Sequence, residues 1–109
     1  MTIQRVTEQE FDSNLSKQGL TLVDFDAPWC PPCKVLSPIL EQLHFEQDGK
    51  INVLKVNCDD SPALASKYSV MSMPTVILFQ DGVPVEKLVG LRPKEVYSHM
   101  IAKYEKENS

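Results

Sequence analysis

The sequence predicts an α/β fold built from a parallel βαβ unit joined to an antiparallel hairpin, and three observations carry that expectation. Two mostly apolar runs, Leu20 to Ala27 and Ile51 to Asn57, have the composition of strands buried on both faces. Between them Val35, Leu36, Ile39, Leu40 and Leu43 recur at the i, i+1, i+4, i+5, i+8 spacing of one helix face, and a strand, a helix and a second strand in that order make a crossover with parallel strands. Further on, Asp81-Gly82 separates Thr75 to Phe79 from Val83 to Gly90 as a two-residue hairpin turn, which makes those two strands antiparallel.

The elements follow in order. Thr2 to Val6 reads as a short strand. Thr7-Glu8-Gln9-Glu10 has the spacing of a capping box, so a helix starts there with Phe11 and Leu15 as its apolar stripe, and Gly19 ends the segment. Asp24 lies inside the first buried run. There it is costly unless hydrogen-bonded, water-linked or protonated, and desolvation is expected to raise its pKa; the pattern alone equally allows Asp24 and Asp26 to mark the wet face of an edge strand. The long helix carries Pro38, which is expected to kink it, and Asp48-Gly49 supplies its stop. Lys55 is the one charge in the second buried run. Asp60 or Ser61 caps a short helix through Pro62, Ala63, Leu64 and Ala65. Pro84 places its strand at the sheet edge. Pro93 opens a last helix with Val96, Met100, Ile101 and Tyr104 on its buried face, and Glu105 to Ser109 reads as a frayed polar tail.

Composition limits the function. At 109 residues, 42% hydrophobic and 24% charged, the chain reads as one compact domain, residues 1–109, that buries about two-thirds of its unfolded surface. A net charge of -4 without a basic cluster argues against nucleic-acid and anionic-membrane partners. No run approaches the roughly 18 apolar residues of a membrane span, and Met1-Thr2-Ile3-Gln4-Arg5-Val6 is not a secretion signal. A cytoplasmic location is therefore expected, where a Cys-X-X-Cys is more often catalytic than structural.

That pair is Cys30-Pro31-Pro32-Cys33. With Cys30 as the N-cap of the following helix, its sulfur meets free backbone N–H groups and the positive end of the helix dipole, which favour a thiolate. Cys33, one turn on, can close a disulfide with it. A zinc site is the competing reading. Its remaining ligands would have to come from Cys58, His44 or His99, which form no second ligand pair, and His44 lies about 16 Å beyond Cys33 along one helix. No metal and no bound cofactor are expected. Cys58 reads as a small buried hydrophobe at the same sheet end as Cys30.

These residues carry a resemblance. Val23-Asp24-Phe25, Ala27, Trp29-Cys30, Pro32-Cys33-Lys34, Pro38, Lys55-Val56-Asn57, Met73-Pro74-Thr75, Phe79, Asp81-Gly82 and Gly90 resemble the thioredoxin family over nearly the whole chain. The resemblance implies the thioredoxin fold, a central mixed sheet with helices on both faces. It implies a redox-active disulfide in which Cys30 attacks and Cys33 resolves, with Asp24 as the buried carboxylate that helps Cys33 lose its proton and Lys55 tuning it. It implies a cis Met73-Pro74 bond, Pro74 against the disulfide, Met73 offering its backbone to a substrate strand, and Trp29, Pro31, Pro32 and Gly90 on the same substrate surface. The implied function is reduction of protein disulfides by a monomer that is itself reduced by a flavin- and NADPH-dependent thioredoxin reductase. The rival is a binding module whose apolar patch holds a protein partner, with incidental turnover.

Two positions depart from the family's pattern: Pro31 stands where a glycine is usual, and Asp26 where an aromatic is common. Pro31 and Pro32 lack N–H groups, so the first backbone donor to the Cys30 sulfur is that of Cys33, and the helix is expected to start a residue late. Asp26, if near the site, disfavours a neighbouring thiolate.

Overall fold

The computed structural model describes residues 3–48 and 50–107. The chain runs β1 (Gln4–Arg5), α1 (Glu8–Asn14), β2 (Leu20–Asp26), α2 (Pro31–Glu46), β3 (Asn52–Asn57), α3 (Pro62–Lys67), β4 (Thr75–Gln80), β5 (Val83–Val89) and α4 (Lys94–Glu107). Among the described residues these strands form one sheet in the order β1-β3-β2-β4-β5. β2 is parallel to β3 and antiparallel to β4, and β5 closes the edge as the antiparallel partner of β4. The mixed sheet carries helices on both faces: α2 and α4 pack on Leu20, Leu22, Val53, Val76 and Leu78, while α1 and α3 pack on Val23, Phe25, Leu54, Val56, Ile77 and Phe79.

Local signals explain most boundaries. The Thr7 side chain accepts from the Glu10 N–H, and the Glu10 carboxylate accepts from the Thr7 N–H, so the capping box is complete. Asp81 and Gly82 both have positive φ, 53° and 84°, the backbone that a tight hairpin turn with the sheet's own twist requires. This turn is tied to the start of β2 by two bonds, Asp81 N–H to the Gly19 carbonyl and Gly19 N–H to the Asp81 carboxylate, at 2.9 and 2.7 Å. Pro84 lies in the edge strand, where its missing N–H breaks no ladder.

Several expectations are corrected. β2 is buried at every position between β3 and β4, so Asp24 and Asp26 do not mark an edge strand. α2 begins at Pro31, directly after Cys30, and not a residue late; the first turn of a helix leaves N–H groups unpaired in any case, so two prolines there cost no intrahelical bond. Val35 is 52% exposed. Leu36, Leu40 and Leu43 alone form the fully buried line, and Val35 is turned about 100° away from Leu36. α2 continues through Pro38, and the Gln47 cap and Asp48 at φ 54° end it, with Gly49 outside the described residues. β1 is shorter than Thr2 to Val6, and Thr2 lies outside the described residues. Ser61 occupies the cap position of α3 without a side-chain cap bond. In α4 the fully buried residues are Tyr97 and Ile101, while Val96 is only partly buried, and the helix extends through Glu105–Glu107, leaving of the expected tail only residues 108–109, outside the described ones.

The register creates one uncommon juxtaposition. Arg5 pairs with Lys55 and Lys55 with Asp24, so the three lie in one row across β1, β3 and β2. Since side chains alternate along a strand, Asp24 and Asp26 share the face of Leu20 and Leu22, beneath α2. Burial, then the Asp26 charge, pushes the Asp24 carboxyl up to about 7, opposed by Lys55 and Arg5. Folded Asp24 therefore holds a proton that the unfolded chain has released. That linkage favours the folded state at low pH, is lost as pH rises through this window, and leaves the full cost above about 7.

Asp24→Asn is expected to raise unfolding stability at about pH 8 by up to about 4 kcal/mol, and by little at about pH 4. Urea unfolding at the two pH values checks this. An equal gain at both would place the effect outside the ionisation of Asp24.

Candidate active site

β2 ends beside the sheet's carboxyl edge, and residues Ala27 to Trp29 carry the chain over to Cys30, the N-cap of α2, with extended backbone (φ -101°, ψ 104°). Its sulfur accepts the Cys33 N–H at 3.3 Å. Pro31 and Pro32 occupy the first helical positions and contribute no donor, so the helix end presents a single backbone N–H to the sulfur from within its first turn. Cys30 and Cys33 are disulfide-bonded, with Cα atoms 5.3 Å apart, and both are buried. Reduced, the same geometry stabilises a thiolate at Cys30 through the helix dipole and one hydrogen bond to charge.

Met73 and Ala27 pack against the two cysteines. The Met73-Pro74 peptide is cis, and the Pro74 carbonyl accepts from the N–H of Gly90, which has φ 87°. Trp29 is 63% exposed, and its indole N–H donates to the Asp59 carboxylate at 3.0 Å. The exposed apolar side chains of Met71, Val89 and Leu91 come from the same segments as Met73 and Gly90. The sequence-predicted residues Trp29, Cys30, Pro31, Pro32, Cys33, Met73, Pro74 and Gly90 thus belong to three adjoining pieces: the start of α2, the turn into β4 and the end of β5.

On the other side of Cys33 lies a polar cleft of about 320 Å³, whose lining includes Arg5, Asp26, Cys33, Lys34, Ser37 and Lys55. Asp26 is held by Arg5 with two bonds, 3.0 and 2.7 Å. Lys55 Nζ donates to Ser37 Oγ at 2.6 Å and stands 3.9 Å from Asp26. Ser37 in turn donates to the Cys33 carbonyl at 3.4 Å. Neither oxygen of Asp24 has a hydrogen-bond partner among the described residues. Asp26 was legible in the sequence as a charge of uncertain placement. Arg5 and Ser37 carried no local signal, because Arg5 reaches Asp26 only through the strand order.

Cys58 follows β3 at the same sheet end, its N–H bonded to the Asp26 carbonyl at 2.9 Å, but its side chain packs in the α1/α3 layer. Burial, then the charges of Asp26, Asp24 and Asp59, pushes its thiol up to about 11, so it is a poor nucleophile. Among the described residues no group of three or more His, Cys, Asp or Glu side chains is arranged to hold a metal ion, and no helix is long and apolar enough to cross a membrane.

Comparison with known proteins agrees with this geometry. The family model Thioredoxin matches residues 2–103. The thioredoxin of Staphylococcus saprophyticus is 49% identical over 104 residues, covering 95% of this chain and 99% of that protein. That of Staphylococcus aureus is 47% identical over the same span and coverage. A solved mutant thioredoxin from Halobacterium salinarum NRC-1 superposes with a TM-score of 0.85 at 37% identity, covering 94% of this chain and 88% of that one. With a buried cysteine pair at a helix start on this fold, the chain belongs to the thioredoxin family and is a thiol-disulfide oxidoreductase of the disulfide-reducing type.

Proposed function

We propose that this single-domain chain works as a cytoplasmic monomer that reduces disulfides in other proteins, with Cys30 as the attacking sulfur and Cys33 as the resolving one. The observation that carries the assignment is the Cys33 N–H on the Cys30 sulfur at the helix N-cap: the helix end favours the anion at Cys30, and only a thiolate attacks. The Cys30 thiolate attacks one sulfur of the substrate disulfide, forming a mixed disulfide and releasing the other substrate sulfur as a thiolate, which takes a proton from solvent. Asp24 then accepts the Cys33 proton. Cys33 attacks the Cys30 sulfur and expels the second substrate thiolate, leaving the Cys30–Cys33 disulfide, so two electrons have moved to the substrate. A carboxyl at about 7 takes up and returns a proton near neutral pH.

The substrate segment lies across Trp29, Pro31, Pro32, Met73, Pro74 and Gly90, pairing with the backbone of Met73. The Cys30–Cys33 disulfide is reduced again by a flavin- and NADPH-dependent thioredoxin reductase, and this chain binds no cofactor of its own. Lys55 tunes the proton chemistry from across the cleft. A binding module without turnover is not favoured, since it has no use for a nucleophile-activating helix end above a protonatable carboxyl.

An insulin-reduction assay tests the assignment. Cys30→Ser is expected to abolish acceleration of insulin precipitation, whereas Cys33→Ser is expected to accumulate a covalent adduct with oxidised substrate. Adduct trapping through Cys33 in the Cys30→Ser variant would reverse the roles, and precipitation by Cys30→Ser at the parent rate would remove the enzymatic reading.

Pro31→Gly adds a backbone N–H next to the Cys30 sulfur. Hydrogen bonds to charged groups contribute about 1.5–3 kcal/mol, but a donor at the first helical position is poorly aimed, so about 1 kcal/mol or less is expected. The Cys30 thiolate should then titrate up to about 0.7 pH units lower than in the parent. Ultraviolet thiolate absorbance measures this, and an unchanged or higher midpoint would show that Pro31 acts in some way other than by withholding a donor.

A further inference from the structure

Two carboxylates and two cations share the sheet face beneath the start of α2, and their pairing is uneven. Asp26 takes both Arg5 bonds and has Lys55 at 3.9 Å, and Lys55 spends its short 2.6 Å bond on Ser37. Asp24, next to Lys55 in the strand register, has no partner for either oxygen among the described residues. A lysine side chain reaches several ångströms in any direction, so its position reflects competition between the anions around it. Asp26 is 9% exposed at the side chain and doubly bonded to a guanidinium, which fixes its carboxylate in place far more firmly than a solvated carboxylate would be.

We infer that Asp26, held in place by Arg5, is a positioning residue: its carboxylate draws the Lys55 ammonium out toward Ser37 and the cleft, and so keeps that cation from closing on Asp24, whose carboxyl stays free to take a proton from Cys33. The last clause rests on the proposed role of Asp24; the positioning itself does not. Arg5 and Asp26 touch neither substrate nor the sulfurs, and they act through Lys55 and Asp24.

The groups that bear on Asp24 come from every side. They are Asp26 on its own strand, Lys55 on β3, Arg5 on β1, Cys58 after β3, and the Tyr97 phenol on α4, which feels the Asp24 charge and lies bonded to the Arg92 N–H. β4 contributes only Val76 opposite Asp24. Of these groups, Asp26 alone disfavours ionisation of Asp24 by charge, while Lys55 and Arg5 favour it. Removing Asp26's charge therefore does two things with one sign: it deletes the repulsion and releases Lys55 and Arg5 toward Asp24. Removing Arg5 has the opposite sign, because it deletes an attracting charge and leaves Asp26 with Lys55 as its only cation.

Carbon-detected NMR titration of the Asp24 side-chain carboxyl in the reduced protein tests the inference with Asp26→Asn and Arg5→Gln. The expected result is a midpoint lower by about one pH unit in Asp26→Asn and higher by about half a unit in Arg5→Gln. General loosening of the fold cannot give shifts of opposite sign, and direct charge effects alone would leave the Asp26→Asn shift unchanged in a Lys55→Gln background, where the positioning makes it smaller. Midpoints that stay in place, or that move the same way in both variants, overturn the inference. The pH dependence of product release from the mixed disulfide, followed in the same variants, tests the underlying role separately. If the NMR midpoints move in opposite directions while the acid limb of that rate stays fixed, the positioning holds and Asp24 is not the group that takes the Cys33 proton.

Discussion

Asp24, a carboxyl group with no hydrogen-bond partner among the described residues, lies in the middle of a strand buried along its whole length, and Arg5, Lys55 and Asp26 are arranged around it. β2 has β3 on one side, β4 on the other, and helices above and below, so Asp24 has no route to water along its own strand. An ionised group in that position is disfavoured by desolvation, and the protein leaves it chemically adjustable when it could have matched it with a cation. Two cations are within reach in the same row, yet both are engaged at Asp26 or Ser37. The result is a buried carboxyl pushed up to about 7 on the sheet face that α2 covers, a combination more usual at sites of chemistry than in structural cores.

What the sequence discloses about this arrangement follows the range of each signal. The capping box at Thr7, the Asp81-Gly82 turn and the cysteine pair ahead of an amphipathic helix are all local, and each appears in the structure where the residues place it. Val35 and Val96 failed as core residues for a different reason. Both are apolar neighbours of a residue that is fully buried, Leu36 and Tyr97, and at about 100° per residue a helix that buries one of two such neighbours leaves the other exposed, as Val35 is, or only partly buried, as Val96 is. Tyr97 was missed because a phenol reads as a surface group until its hydroxyl finds a partner, here the Arg92 N–H. The Arg5–Asp26 pair had no signal at all: twenty-one residues separate the two, and they meet only because β3 stands between β1 and β2 in the sheet.

Cys58 shows that reactivity here is a property of place. It lies at the same end of the sheet as Cys30, one peptide bond from the end of β3, and is bonded to the backbone of Asp26. Its thiol is buried in the opposite layer with three aspartates nearby, so burial and charge alike push it toward the neutral form. Cys30 sits instead at a helix start, where a backbone N–H points at its sulfur. The two prolines after Cys30 limit that donation to one bond, and they fit the first turn without disturbing the helix, because the N–H groups they lack would have had no intrahelical acceptor.

The two sulfurs also face different surroundings, which bears on why a two-cysteine mechanism can be ordered. The Cys30 side adjoins Met73, the cis Met73-Pro74 peptide and exposed apolar residues, a surface that loses water readily when an extended segment covers it. The Cys33 side opens on a cleft lined by Arg5, Asp26, Lys34, Ser37 and Lys55. Covering the first side strengthens electrostatic interactions there and shields the mixed disulfide from solvent, while the second remains open on the polar cleft. In the proposed sequence of steps the attack needs an apolar, covered sulfur and the release needs a proton acceptor. Under that proposal a substrate that covers the apolar surface beside Met73 leaves the polar cleft at Cys33 open, so that staying bound through the first step does not block the second.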